Sequence, residues 1–119
     1  MAKKTVLEPI KLTDNETGEK FTLEFSRDSV RFAEGRGFSV GDVGDFPMTK
    51  VPDLFFYAFR KNHQNLARAR TDKILFETLG GLSRDELERL IHLYSSPMES
   101  LIRDEGDETV KNPKMTVEL

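Results

Sequence analysis

SRDELERLIHLYSSPMESLI, residues 83–102, carries the strongest helical signal in the chain. Ser83 and Glu86 have the spacing of a capping box, in which each side chain binds the other residue's backbone N–H at the start of a helix. Pro97 removes one backbone donor, so a kink or a break is expected near residues 95–96. Apolar side chains recur at three- and four-residue steps, as on the buried face of an amphipathic helix: Leu87, Leu90, Ile91, Tyr94, Met98, Leu101 and Ile102. We expect this helix to anchor the core.

A shorter helix is predicted well upstream of this segment. Val30 and Ala33 stand three residues apart behind Ser26, and Gly37 follows as a stop signal. Residues 38–47 are rich in glycine and aspartate, which is typical of a loop or of one loose turn.

Two further helices are predicted between this loop and the last helix. Pro52 is tolerated in a first turn, and the apolar run of residues 54–59 follows it, so one helix should begin there and end near Asn62. The next should begin at Thr71, whose side chain can act as an N-cap, and end at Gly80-Gly81.

The N-terminal part has the two-residue periodicity of β-strands. Apolar residues are spaced among polar ones in residues 5–13 and alternate with them in residues 21–25, and the connection over 14–19 is rich in turn formers. The sequence therefore predicts an α+β fold, with an N-terminal β-hairpin (5–26) followed by a compact bundle of about four helices (27–102). Residues 1–102 are expected to form a single domain, and residues 103–119 a polar, mobile C-terminal tail.

Composition narrows the classes of function. Eighteen Lys and Arg against twenty-one Asp and Glu give a formal charge of −3, which argues against a dedicated nucleic-acid binder. The absence of cysteine excludes thiol nucleophiles and cysteine-based metal sites, and it fits a reducing cytoplasm. No segment approaches the ~20 apolar residues that span a bilayer, so no membrane partner is expected.

Residues that could carry catalysis are few. The two histidines, His63 and His92, are widely separated, and neither belongs to a metal-binding pair. The glycines near Arg36 lack the spacing of a nucleotide-binding loop, and Asp42 and Asp45 are too few ligands for calcium. We therefore expect no catalytic residue, no metal and no cofactor, and a protein that is not an enzyme.

The apolar run of residues 54–59 is the most informative stretch for partner binding. On a helical wheel Phe55 and Phe59 share one stripe, whereas Phe56 and Tyr57 point to the opposite side. A helix that is apolar all round is either enclosed by its own domain or meets a partner, and both alternatives stay open. These four aromatic residues are the predicted partner-binding residues, with Phe56 and Tyr57 the best candidates.

A basic cluster follows this helix, and in the local sequence only Asp72 opposes it. Its members are Arg60, Lys61, Arg68, Arg70 and Lys73. The cluster could bind phosphate or form a solvated connector. The connector is favoured because the whole chain is acidic and no aromatic stacking platform is interleaved with these charges.

Short motifs mark residues 21–102, among them FTLEF (21–25), PDLFFYAF (52–59), TDKILF (71–76) and LERL (87–90). The set resembles a family of small proteins encoded in the tail-gene modules of siphophages and prophages. The resemblance implies a tail assembly chaperone that binds the long helical tape measure protein and keeps it soluble, in the cytoplasm of a host bacterial cell. It implies no catalytic residues.

Two alternatives from other classes remain. One is a structural tail component that forms homo-oligomers through the edges of its hairpin, because open strand edges pair with other chains. The other, less favoured, is a small nucleic-acid-associated regulator that uses the basic cluster.

Overall fold

A two-stranded antiparallel hairpin opens the fold, and four helices follow it. The structure, a computed structural model, describes residues 7–101, 115, 118 and 119. The strands are β1 (Ile10–Thr13) and β2 (Lys20–Leu23), and the helices are α1 (Arg27–Gly35), α2 (Pro47–Phe59), α3 (Arg68–Lys73) and α4 (Arg84–Glu99). The predicted α+β class, with its hairpin and four helices, is confirmed. The tail predicted over 103–119 lies outside the described residues except at the three positions just given, and Ile102 also lies outside them.

The hairpin turn forms where the sequence predicts it. The Asp14 side chain accepts hydrogen bonds from the backbone N–H groups of Glu16 (2.9 Å) and Thr17 (3.2 Å), and Gly18 adopts a φ of +79°. The bond from the Glu16 N–H, followed by that from Thr17, lowers the pKa of Asp14. This turn places Ile10 opposite Leu23, so that Leu23 packs into the core.

Helix α1 follows its predicted signals. The Ser29 N–H donates to the Ser26 hydroxyl (3.2 Å), and the Ser26 N–H donates to the Ser29 hydroxyl (2.8 Å), which forms a capping box. Gly37 adopts a φ of +85° just beyond the helix end, and a short 3₁₀ turn, Val40–Asp42, lies in the predicted loop.

The predicted start of α2 is wrong by five residues. Pro47 occupies the first turn instead of Pro52, and the N–H groups of Thr49 and Lys50 already donate to the Phe46 carbonyl. Pro52 therefore lies inside the helix, where it is buried, and α2 ends at Phe59.

Helix α3 also begins earlier than predicted. Its first residue is Arg68, and Thr71 is not a cap because its buried hydroxyl donates to the Arg68 carbonyl (3.0 Å) within the helix. The helix continues as a π-helical segment, Ile74–Thr78. The predicted end is confirmed, since Gly80 and Gly81 adopt φ values of +70° and +103°, which L side chains rarely adopt.

Helix α4 has the predicted capping box, but it does not break before Pro97. The Ser83 N–H donates to the Glu86 carboxylate (2.7 Å), and the Glu86 N–H donates to the Ser83 hydroxyl (3.1 Å). Pro97 removes one helical hydrogen bond in the last turn, and the helix nevertheless continues to Glu99.

One hydrophobic core joins the hairpin and the helices. Its centre on α4 is Tyr94, whose ring packs edge to face on Phe25 (5.0 Å between ring centroids) and Phe38 (5.3 Å). Leu93 is buried although the periodicity did not select it, whereas Leu101, predicted as core, is 72% exposed.

Because the Tyr94 phenol is buried, we expect the folded state to lose stability at alkaline pH. Burial raises its pKa from the usual tyrosine value of 10.0 to about 12, so the folded state holds the phenolic proton more tightly than the unfolded state. Its contribution is therefore complete below pH 10 and is lost between pH 10 and 12, at up to about 1.4 kcal/mol per pH unit. Between pH 10 and 12, the free energy of unfolding measured with urea should fall less steeply with pH for Tyr94→Phe than for the parent. Equal slopes would contradict the assignment.

Candidate interaction surface

The predicted partner-binding aromatics lie mostly in the core. Phe55, Phe59 and Tyr57 have exposed fractions of 0, 1 and 7%. Tyr57, expected on the side of α2 away from the core, packs edge to face on Phe38 (5.4 Å between centroids) and Phe32 (6.0 Å). Rings supplied by α1 and by the residues just after it cover that second side, so Tyr57 offers little surface to a partner. Only Phe56 is partly exposed.

Carboxylates from elsewhere in the chain neutralise much of the basic cluster. Arg68 pairs with Asp53 and with Asp72 (2.9 Å each). The two further pairs join the cluster to the hairpin region: Lys61 with Glu24 (3.2 Å) and Arg70 with Glu19 (2.6 Å). Asp72 is the one acidic residue within residues 60–73 of the sequence, and the fold adds Asp53, Glu24 and Glu19 from outside that segment. Lys73 is exposed and has no ion pair within residues 7–101.

An aromatic ring from α1, distant in the sequence, lies against Arg60. The Arg60 guanidinium lies 3.6 Å from the centroid of the Phe32 ring, and the Arg36 guanidinium lies 4.7 Å from the same centroid. A guanidinium on an aromatic face is held by cation–π attraction and keeps its edge free for hydrogen bonds.

Side chains after α2 close the outer edge of β2. The Thr22 N–H donates to His63 Nε2 (3.0 Å), and Asn62 Nδ2 donates to the Thr22 carbonyl (3.2 Å). The imidazole also packs edge to face on Phe21, with 5.4 Å between centroids. His63 is thus a structural residue that replaces a neighbouring strand at this edge.

Removal of the His63 ring should destabilise the fold. His63→Ala leaves the part-buried Thr22 N–H without its acceptor and removes the contact with Phe21, so we expect a loss of about 2–3 kcal/mol in the free energy of unfolding. His92 is exposed on α4, and His92→Ala should change it by less than about 0.5 kcal/mol. Chemical denaturation of both variants tests this, and equal losses would refute the role of His63.

An apolar groove lies between α1 and the C-terminal end of α4. Its apolar lining consists of Val30, Pro97, Met98 and Leu101, and its volume is 480 Å³. Leu101 lies beyond the end of α4 and projects into solvent with 72% of its surface exposed. We call this surface the apolar groove. Its charged rim is formed by Arg27, Asp28, Arg31 and Glu34. Such concave apolar surfaces bind side chains of a partner by excluding water.

A basic pocket lies on the other side of α1. Arg31, Phe32, Arg60 and Lys61 line it together with Asp28, and its volume is 640 Å³. Arg68, Arg70 and Lys73 do not line it, so the structure does not bring the predicted basic cluster together at this site. Arg31 and Asp28 line both the basic pocket and the apolar groove, which makes the two features parts of one surface.

Other large apolar side chains are exposed away from this surface. Met48 is 85% exposed at the start of α2, next to the exposed Phe46, and Phe76 and Leu79 are exposed at the end of the π-helical segment. None of these residues lines the apolar groove or the basic pocket.

The described residues offer little for metal chemistry. Within them, no three His, Asp or Glu side chains stand close enough together to hold a metal ion. His92 lines a small separate cavity on α4 with Ser96 and Glu99. Among the helices of the described residues, none is both long and apolar enough to cross a bilayer.

Comparison with known proteins identifies a family for the whole chain. Residues 1–119 match the family described as "Domain of unknown function (DUF5055)". The chain has no significant match among curated proteins or among solved structures.

Proposed function

The chain belongs to the DUF5055 family, a domain of unknown function, and from the geometry of its surface we propose a non-enzymatic protein that binds an amphipathic helix of a partner. The observation that carries this proposal is the apolar groove. Val30 and Met98 form a partly enclosed floor, while Leu101 stands exposed at its end. A helix that places its apolar stripe into such a groove is a common mode of peptide recognition.

The energetics of the groove suit an interaction centred on a few side chains. Leu101 is mostly exposed in the free chain, and full burial of such a side chain contributes about 1.5–3 kcal/mol. Met98 beside it is unbranched and flexible, which allows it to adapt to different apolar side chains.

We propose that the partner is a tail tape measure protein. The resemblance of residues 21–102 to small proteins of phage tail modules supports this partner, because a tape measure protein is long and helical and needs a soluble state before assembly. The activity would then take place in the cytoplasm of the host bacterial cell, and the bound chain would cover apolar helix surface of the unassembled partner.

Two observations bear on the alternatives. Self-association through hairpin edges would have to use β1, because Asn62 and His63 already occupy the outer edge of β2. A nucleic-acid binder would have to use the basic cluster. Three of its members, Lys61, Arg68 and Arg70, are already paired with carboxylates. Partner binding through the apolar groove uses neither the edge of β1 nor these paired cations.

Co-expression tests the proposal. The chain is produced with and without the tape measure protein of the same gene cluster, and both samples are analysed by size-exclusion chromatography with light scattering. We expect a co-eluting complex and a partner that is soluble only when this chain is present. A discrete or growing homo-oligomer of the chain without any complex would favour the structural tail component instead.

A further inference from the structure

The surface beside α1 has two halves of different charge. On the rim of the apolar groove, Arg27 and Arg31 are balanced by Asp28 and Glu34. The rim of the groove therefore carries no net charge, and an excess of either sign must come from the other half.

The basic pocket carries an excess of positive charge. Arg31, Arg60 and Lys61 line it against Asp28, and Glu24 pairs with Lys61 at 3.2 Å. One positive charge remains after this balance.

Arg60 is held in place before any ligand arrives. Its guanidinium stacks 3.6 Å from the Phe32 centroid, which restricts the side chain while its edge keeps several N–H donors available. Planar guanidinium edges match carboxylates with two parallel hydrogen bonds, and the Arg60 side chain, already restricted by Phe32, loses little further conformational entropy when it binds one.

On the basis of the proposed function, we infer that the partner helix carries acidic side chains along one flank, which the basic pocket binds while the apolar stripe fills the groove. The two halves share Arg31 and Asp28, so one helix can cover both. The pocket thereby selects both the kind of helix and its direction across α1, since reversing the helix would move its acidic flank away from Arg60.

Protein carboxylates fit this surface better than the phosphates of a nucleic acid. A phosphate backbone needs a row of unpaired cations, whereas Arg68 and Arg70 outside the pocket are already paired with carboxylates. The neighbouring groove is apolar, as a peptide requires, and the chain as a whole has a formal charge of −3.

Two matched synthetic peptides test the inference. Both are amphipathic helices of about 18 residues, or five turns, with the same apolar stripe, and one flank is either all Glu or all Lys. Fluorescence anisotropy measures their binding to the full chain at about 50 mM and 500 mM salt. Partly exposed charges tune orientation and association more than total affinity. We therefore expect the Glu-flanked peptide to bind about tenfold more tightly at low salt, with a smaller difference at high salt.

Charge reversal at the exposed Arg31 tests whether the preference for the Glu-flanked peptide arises in the basic pocket. Arg31→Glu should abolish the preference for the Glu-flanked peptide, whereas Lys73→Glu, an exposed cation outside the pocket, should retain it. Both variants should melt like the parent.

The outcomes separate this inference from the proposed function. Equal binding of both peptides at low salt would overturn the acidic-flank inference and leave the groove intact. Binding of neither peptide would contradict the groove and, with it, the inference. Tighter, Arg31-dependent binding of a single-stranded DNA of equal charge would overturn the inference in favour of a nucleic acid.

Discussion

Tyr57→Ala should lower the free energy of unfolding by about 3–5 kcal/mol, the range for removing a buried aromatic side chain. Tyr57 is only 7% exposed, and its ring packs on both Phe32 and Phe38. Truncation leaves a cavity between α1 and α2. It also removes both edge-to-face contacts, whose loss destabilises the fold beyond the effect of the lost buried area. Urea unfolding followed by circular dichroism measures the change.

Phe56→Ala is the matched control on the same helix. Phe56 is partly exposed and has the Arg68 guanidinium 5.6 Å from its ring, so its truncation should cost about 1–2 kcal/mol. A loss for Tyr57→Ala no larger than that for Phe56→Ala would mean that Tyr57 is a surface residue, as the helical wheel suggested.

Leu101→Asp should weaken or prevent the proposed complex with the tape measure protein in the co-expression experiment. The substitution places a charge at the end of the apolar groove, where a partner side chain would have to remove it from water. Losses at the centre of an interface reach about 2 kcal/mol or more, which corresponds to roughly 30-fold in Kd. Because Leu101 is 72% exposed in the free chain, the thermal stability of the variant should match that of the parent.

Met48→Asp provides the control for this variant. Met48 is 85% exposed and apolar but does not line the groove, so its variant should still form the complex. Loss of the complex in both variants would indicate a general effect of exposed apolar surface. Loss in Met48→Asp alone would move the interface to the start of α2.

The elements predicted correctly from the sequence are those that local chemistry determines. The capping box of Ser83 and Glu86, the turn after Asp14 and the glycine stop at Gly80-Gly81 depend on side chains within a few residues of one another. The start of α2 depends on the competition between Pro47 and Pro52, either of which is compatible with a first turn.

The features that could not be predicted from the sequence depend on contacts between distant parts of the chain. His63 accepts a hydrogen bond from Thr22, 41 residues away, and Arg70 pairs with Glu19, 51 residues away. Helical periodicity placed Leu101 in the core, but α4 ends at Glu99, so Leu101 leaves the buried face and enters the groove. The enclosure of Tyr57 likewise depends on Phe38, which lies outside both α1 and α2.

Hydrogen–deuterium exchange of the chain, free and in complex with its partner, tests whether the surface beside α1 is the binding site. We predict slower exchange on binding in residues 27–34 of α1 and 96–101 at the end of α4, which carry the apolar groove. Protection confined to residues 46–48 or 76–79, with α1 and the end of α4 unchanged, would contradict the account.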